Sequence, residues 1–435
     1  TSEPAARPEP FGRGSAALLG LGFFLQLTLF ANLGRLQQMS GSTLIPAALT
    51  AQVGLATGLA AAAAKLPALR LVVGIVLLVL LSAAPLLDGA SALLMVPANA
   101  ASVILLVGAC SRGTSGRALG AYAGTMLGAA LLFVLLFGFY TRYEATGLWP
   151  LAGVLLALAA LGRGADAPPG ITKLAFLLPL VASIAAAGAL IPATQNPGAA
   201  TARIRALTYN IHQGFDADGR PAAQRIADVL AAAEADVIAL QEVGRGWNLL
   251  GGADLVAYLR WRLPHYEIRF VQLNGELWGN AILSQWPIVS LDGGPFGTNE
   301  AFRYGFMHAV TVVDTDSVHV YSVHLSADLS SPVQSIRSVQ ARELMAQVAP
   351  RRSIVLGDFN ATPGSDVLGT MTAGGLTDAA AESGLGSVGT WPARSGTQRL
   401  DYVLLTPDLG PGRAQVLATT ASDHRPVMVD LRPIR

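Results

Sequence analysis

The first half of this 435-residue chain is a succession of long apolar runs, and few folds can absorb so many. They lie at roughly 15–34, 43–64, 70–87, 91–110, 118–140, 147–162 and 172–193. Most reach the ~20 residues that a helix needs to cross about 30 Å of hydrocarbon. Charged residues fall at the ends of these runs or in the short connectors between them. Buried core helices of a water-soluble protein would not recur at this length with charge so confined. The expected architecture is therefore a membrane domain of about seven helices over 15–193, entered from a short segment, 1–14. The run at 147–162 is the shortest and the weakest of the seven.

Charge placement tests that count. With seven spans, one side carries Arg7, Arg13, Lys65, Arg70, Arg112, Arg117, Arg163 and Lys173. The other carries Arg35 and Arg142. If 147–162 did not span, Arg163 and Lys173 would change sides and the asymmetry would shrink. Basic residues favour the cytoplasmic side, so the N-terminus is expected in the cytoplasm and residue 194 onward outside it. No Asp, Glu, Lys or Arg lies at a span centre, which disfavours an ion or proton pathway. Gln26, Asn32, Gln52 and Asn99 remain as polar groups within spans. Such groups serve more often as glue between helices than as ligands. Stretches rich in Ala, Gly, Ser and Thr at 50–64 and 119–130 would let helices pack closely.

The two halves differ in charge. Residues 1–200 hold ten basic and five acidic side chains, and the remainder holds nineteen basic and twenty-three acidic. An acidic second half disfavours a bulk nucleic-acid binder, which needs a basic face. The one cysteine, Cys110, lies in an apolar run, so neither a disulfide framework nor a cysteine metal site is available. The chain starts at Thr1 rather than at a methionine, so residues upstream are expected.

Residues 194–202, Thr-Gln-Asn-Pro-Gly-Ala-Ala-Thr-Ala, read as a linker with turn signals. A catalytic-type domain over 203–435 follows, where strand and helix patterns alternate. Strands are expected at Arg203–Asn210, Asp236–Val243, Asn280–Leu283, Val289–Leu291, Ala309–Val313, Val318–His324, Ser353–Leu356, Leu400–Leu405 and Val427–Leu431. Helices are expected after Pro221 and from Pro332 to about Val348.

Polar residues recur at the ends of these strands. Asn210 stands in Thr-Tyr-Asn-Ile-His-Gln-Gly and Glu242 in Ile-Ala-Leu-Gln-Glu-Val. His324 stands in Ser-Val-His-Leu, and Asp358 and Asn360 in Gly-Asp-Phe-Asn-Ala-Thr-Pro. Asp401 stands in Arg-Leu-Asp-Tyr-Val-Leu, and Asp423 and His424 in Ser-Asp-His-Arg-Pro-Val. Any one of these is ordinary: a polar residue leaving a strand, or a capped turn. Six in succession, each beside an apolar strand, point to one cleft. A carboxylate with an amide suits a hard cation such as Mg²⁺, with Mn²⁺ or Ca²⁺ as alternatives. A histidine with a carboxylate partner can take a proton from water. A second histidine can donate to phosphoryl oxygens.

In this order the motifs resemble the endonuclease/exonuclease/phosphatase superfamily over about 203–433. The resemblance implies a four-layer α/β sandwich of the DNase I type, with two β-sheets face to face and helices outside. It further implies that Glu242 and Asn210 hold the metal, with Asp423 in the metal and water network. Asp358 and Asn360 would position water and phosphate. His324 would contact the phosphoryl group, and His424 would be the general base, held by Asp401. Nucleases of that family often carry a carboxylate before the strand matching Ala281–Leu283, which supports the first histidine. Here Gly279 or Asn280 stands there, leaving Glu276 as a substitute or no support at all.

The stretch from Gly244-Arg-Gly-Trp-Asn through Leu277-Trp-Gly-Asn-Ala-Ile-Leu-Ser, behind a multi-span half, resembles bacterial relatives of the membrane protein that exchanges the lipid of GPI anchors for ceramide. That resemblance implies lipid remodelling and a lipid or glycolipid phosphodiester substrate, with membrane lipids rather than nucleic acid as partners. Arg245, Arg303 and Trp278 would contact it; Arg260 and Arg262 are further cations, and Trp247, Trp261 and Trp286 are core aromatics or interface anchors. His212, His265, His308 and His319 read as structural. Two other functions compete: an extracytoplasmic nuclease or phosphomonoesterase on the same scaffold, and a non-catalytic membrane module.

Overall fold

In the computed structural model the described residues are 13–32, 35–36, 44–63, 73, 76–77, 80, 91–110, 118–141, 147–161, 203–247, 254–298, 302–313, 315–327 and 333–433. The chain divides into two compact units, Thr1–Ile191 and Pro192–Arg435.

The first unit is helical. Its helices are α1 (Arg13–Leu25, running on as a π-turn over Gln26–Phe30), α2 (Leu44–Ala63), α3 (Ser91–Cys110), α4 (Ala118–Thr141) and α5 (Leu148–Leu161). The expected span at 172–193 and most of that at 70–87 lie outside the described residues. Among the described residues one window, Tyr122–Phe139 in α4, is long and apolar enough to cross a membrane. Ala17–Phe30, Leu49–Leu59 and Met95–Val107 are shorter apolar helices.

Small residues bring α2 and α3 together. A methyl group on Gly58 would stand 2.7 Å from the Ala100 carbonyl oxygen, and one on Gly54 2.8 Å from Asn99 Cβ. Gln26 Nε2 donates to Asn99 Oδ1 at 2.8 Å, and Asn99 Nδ2 donates to the Ala51 carbonyl at 3.0 Å. These amides join α1, α2 and α3, so Gln26 and Asn99 act as glue.

The second unit has two six-stranded sheets. One has the order β11-β12-β1-β2-β4-β3 and the other β5-β6-β7-β8-β10-β9. The strands are β1 (Ile204–Asn210), β2 (Val237–Gly244), β3 (Glu267–Gln272), β4 (Trp278–Ser284), β5 (Ile288–Pro295), β6 (Gly305–Val313), β7 (Asp316–His324), β8 (Ser353–Asp358), β9 (Thr377–Asp378), β10 (Asp401–Leu405), β11 (Leu409–Val416) and β12 (Val427–Pro433). Its α-helices among the described residues are α6 (Ala223–Ala233), α7 (Leu255–Arg262), α8 (Val333–Met345) and α9 (Asp366–Ala373).

The sheets pack on an apolar layer that includes Ala206, Ala239, Ile282, Ala309, Val320, Leu356, Val403 and Val429. A second cluster buries Ile226 and Leu230 of α6 and Leu259 of α7 against Leu207, Ile238 and Leu283 of the first sheet. A third buries Leu344 of α8 and Met371 of α9 against Val323, Val355 and Leu404 of the second. The expected four-layer sandwich is therefore present. Alternation of inner and outer residues along each strand supplies both faces.

Each sheet has one parallel pair at its centre, β1 with β2 and β7 with β8. A parallel pair needs a crossover, and α6 and α8 supply the two. The strands therefore end together at one edge, with Asn210 and Glu242 in one sheet and His324 and Asp358 in the other.

Polar side chains tie the sheets there. Gln241 Nε2 donates to Ser322 Oγ at 3.1 Å, Thr208 Oγ1 donates to Gln241 Oε1 at 3.2 Å, and Ser322 Oγ donates to the Leu240 carbonyl at 3.1 Å. All three side chains are buried. Replacing Gln241 with Leu leaves Ser322 and Thr208 short of partners, at about 1–3 kcal/mol. Gln241→Leu is expected to lower the thermal midpoint of the full chain; an unchanged midpoint would show that the tie contributes nothing.

Candidate active site

Asp358 closes β8 with its side chain buried between the sheets. Register places it in a row with two other polar residues, because His324 pairs with Asp358 across β7–β8 and Asp401 pairs with it across β8–β10. Gly357 lets β8 approach β7: a methyl group there would stand 2.0 Å from the Val323 carbonyl oxygen. Asp358 Oδ2 accepts from Asn210 Nδ2 at 3.0 Å, and Oδ1 accepts from the Asn360 backbone N–H at 2.9 Å. His424 Nε2 lies 3.6 Å from Oδ2 and His324 Nε2 lies 3.7 Å from it. One carboxylate oxygen thus faces an amide from the first sheet and two imidazoles.

His424 sits in the loop from β11 to β12. Its Nδ1 hydrogen-bonds Asp401 Oδ2 at 2.9 Å. Burial opposes charge on this ring, but the carboxylates of Asp401 and Asp358 outweigh it and push the imidazole up to about 10. Burial raises Asp358 in turn, against the lowering pull of His424.

Glu242 projects from a bulge in β2, where the pairing with β4 shifts between Leu240 and Val243. Its backbone is left-handed, at φ 55°. Asn210 Nδ2 donates to its Oε1 at 3.2 Å and Gln213 Nε2 to its Oε2 at 2.9 Å. His212, Gln213 and Asn360 also have positive φ. These are four of the six such non-glycine residues among those described. Strained backbone of this kind persists where surrounding contacts enforce it, and it gathers at functional sites.

The other expected residues are less central. Asp423 Oδ2 accepts from Trp391 Nε1 at 3.3 Å, and Oδ1 lies 3.6 Å from His212 Nδ1. It makes no hydrogen bond to Glu242, Asn210 or Asp358, so it joins the cleft beside His212. His212 read as structural in the sequence, yet it stands at this mouth, with its backbone N–H donating to Asn210 Oδ1 at 3.0 Å. Sequence reasoning does not single out Gln213, which follows His212 in the left-handed turn after Asn210 and carries no spacing signal of its own. Asn360 Nδ2 donates to the Leu325 carbonyl at 3.0 Å, which fixes the turn more than it fills the cleft.

His324 has no hydrogen-bond partner on either ring nitrogen among the described residues. Asn280 donates instead to the Ser322 carbonyl. The ring is held by aromatic contacts, with Trp278 at 5.8 Å and Tyr304 at 4.9 Å between centroids. Trp278 is 1% exposed, so it reaches the cleft through His324 and offers no open face. Arg245 pairs with Asp254 and covers the Phe270 ring, Arg260 donates to the Ile268 carbonyl, and Arg262 pairs with Asp228. Arg303 is exposed. Trp247 and Trp286 are buried, whereas Trp261 is partly exposed beside Tyr258.

The donor set fits a hard divalent cation. Ligand atoms of Asp358, Asp401 and His424 lie within 4.8 Å of one another. The Asp401–His424 hydrogen bond already occupies the facing atoms of that pair, however. Beside them lie the carboxylate oxygens of Glu242 and Asp358, both accepting from Asn210 Nδ2, and carboxylate oxygens are donors of the kind Mg²⁺ takes; Asn210 Oδ1 is turned to the His212 backbone N–H.

Because the folded pKa of His424 exceeds its ordinary value of 6.5, its charge stabilises the fold fully below about 6.5. That contribution is lost as pH rises through about 10. In chelator, the stability advantage of wild type over Asp401→Asn is expected to shrink between pH 7 and 10.5; a difference that does not change over this range would contradict the assignment.

Several solved structures are similar to part of this chain. An endonuclease/exonuclease/phosphatase from Beutenbergia cavernae DSM 12333 is 24% identical, covering 53% of this chain and 72% of that one, at a TM-score of 0.46. A mannosyl-6-phosphatase from Bacteroides thetaiotaomicron VPI-5482 is 18% identical over 52% and 99%, at 0.44. D. rerio TDP2 complexed with single-strand DNA product is 17% identical over 53% and 100%, at 0.44. No curated protein matches significantly. The model of the endonuclease/exonuclease/phosphatase family matches residues 207–424, half of the chain. The chain therefore belongs to the endonuclease/exonuclease/phosphatase family, whose members hydrolyse phosphoric esters and generally depend on a divalent metal.

Proposed function

We propose that this protein is a membrane-anchored, metal-dependent phosphodiesterase that acts outside the cytoplasm on a lipid or glycolipid phosphodiester. The observation that carries the hydrolytic reading is Asp358 Oδ2, faced at once by Asn210, His424 and His324. A water held at Asp358 would present a proton to His424 Nε2. Asp401 fixes that ring through Nδ1, so the proton goes to the nitrogen facing the cleft. The water oxygen would then bond to phosphorus as the P–O ester bond breaks, and the leaving oxygen would take up a proton to depart as the alcohol while His424 returns its proton to solvent. His324 would steady the phosphoryl oxygens. Glu242 and Asn210 would hold the cation. Bound there, it would offset phosphoryl charge and oppose the imidazolium of His424, favouring the neutral base.

The membrane reading draws on the apolar runs, their charge asymmetry and the surface of α4. That helix exposes Tyr122, Leu127, Phe133, Val134 and Phe137, an apolar surface that water disfavours and lipid accepts. A catalytic domain tethered outside would meet lipid headgroups more readily than free polymers, and its acidic balance disfavours nucleic acid.

Purified full-length protein with Mg²⁺ is expected to cleave bis-p-nitrophenyl phosphate and phospholipid in preference to plasmid DNA. His424→Ala should lower kcat by about 10²–10⁴, and Glu242→Gln or chelator should abolish turnover. Unchanged turnover in excess chelator would sink the metal mechanism. Preference for DNA or for a phosphomonoester would favour the competing enzyme readings. Lipid mass spectrometry of the host with and without the gene should show accumulation of one phosphodiester lipid in its absence; identical lipid profiles would remove the lipid substrate.

A further inference from the structure

His308 and His319 lie on the outer face of the second sheet, diagonally across β6 and β7. The register pairs His308 with Tyr321 and His319 with Val310. His308 Nε2 and His319 Nδ1 are 3.0 Å apart, and the two rings are nearly parallel, 16° between planes. His308 also stacks on Tyr321, with centroids 4.3 Å apart and 2° between planes. Tyr321 is itself pinned, because its hydroxyl donates to the Gln347 carbonyl and accepts from the Ala349 N–H, both at 3.0 Å. The backbone of His319 is held by the Arg352 carbonyl at 2.8 Å. Both imidazoles are thus oriented before any ligand arrives. On β5, Asp292 pairs with His308 and adds a carboxylate beside them.

We propose that His308 and His319 chelate a late first-row divalent ion, of the Ni²⁺, Cu²⁺ or Zn²⁺ class, at a second metal site apart from the catalytic cleft. Two nitrogens each ~2.0–2.1 Å from one ion stand about 2.9–3.4 Å apart when they subtend about 90–110°. The observed separation falls in that range; the contact is a hydrogen bond in which one ring donates to the other, and a cation would take the place of the shared proton, with both rings turned to aim their lone pairs at it. Imidazole suits this class of ion, whereas the oxygen donors of the cleft suit Mg²⁺. Asp292 offsets the charge of the bound cation. The site is five residues along β7 from His324, or about 17 Å at the rise of a strand. An ion there would clasp the β6–β7 hairpin without touching the reacting phosphate.

The test uses tag-free, full-length protein saturated with Mg²⁺ and titrated with Ni²⁺ by calorimetry, with thermal unfolding as a second readout. Wild type is expected to bind one Ni²⁺ and to gain thermal stability, since an ion that binds only the folded state stabilises it. His319→Ala removes a half-exposed ring and leaves the Tyr321 stack in place; it should weaken Ni²⁺ binding at least tenfold and lose the thermal gain. Its midpoint without Ni²⁺ reports whether it is folded. Glu242→Gln should bind Ni²⁺ as wild type does. His308→Ala, judged by the same two readouts, should behave as His319→Ala. The proposal is overturned if wild type binds no Ni²⁺, if His319→Ala binds it as tightly as wild type, or if Glu242→Gln rather than His319→Ala removes the binding.

Discussion

A buried carboxylate is costly unless it is paired and hydrogen-bonded, and the catalytic half is arranged around one. Asp358 is sealed between two sheets. Its oxygens are met by the Asn210 amide, the Asn360 backbone N–H and two histidines. Meeting it requires β1 and β8, on different sheets, to end at the same level. The Gln241–Ser322–Thr208 tie and the close approach allowed by Gly357 hold that level. The same carboxylate helps raise the pKa of His424, so the state of the base depends on what occupies the cleft. Fold, electrostatics and chemistry therefore meet at one oxygen atom.

The centre of the fold was legible because parallel strands buried on both faces read as continuous apolar runs. Asp236–Val243 and Ser353–Leu356 stand out for this reason, and β2 and β8 lie there. The edges were not legible. β3 and β11 flank the first sheet and read as neither apolar runs nor clean alternation. β11 contains Gly-Pro-Gly and slips register between Pro411 and Ala414, as proline on an edge strand allows. Helix α7 was hidden in a stretch whose Arg and Trp residues drew a different reading. Its start is set by Asp254, whose carboxylate accepts from the Ala257 N–H.

The core of the site was legible for a simpler reason: polar residues at the ends of apolar strands have to converge when the strands share a sheet edge. Asn210, Glu242, His324, Asp358, Asp401 and His424 do converge. Residues that act through backbone conformation were harder to find. Gln213 reaches Glu242 only because the turn after Asn210 is left-handed, and neither periodicity nor motif spacing marks that. The support of His324 also differs from expectation. Trp278 and Tyr304 hold the ring by aromatic contact, where the resemblance implied a carboxylate.

The central claim is that Asp358 and His424 act as one unit on the attacking water. A double-mutant cycle on kcat/KM for bis-p-nitrophenyl phosphate tests it most directly, with Asp358→Asn, His424→Ala and the pair together. Groups that act as a unit are strongly non-additive. The double variant should be about as slow as the slower single variant. Losses that multiply, so that the double variant falls by the product of the two, would show that the residues act independently and would contradict the account.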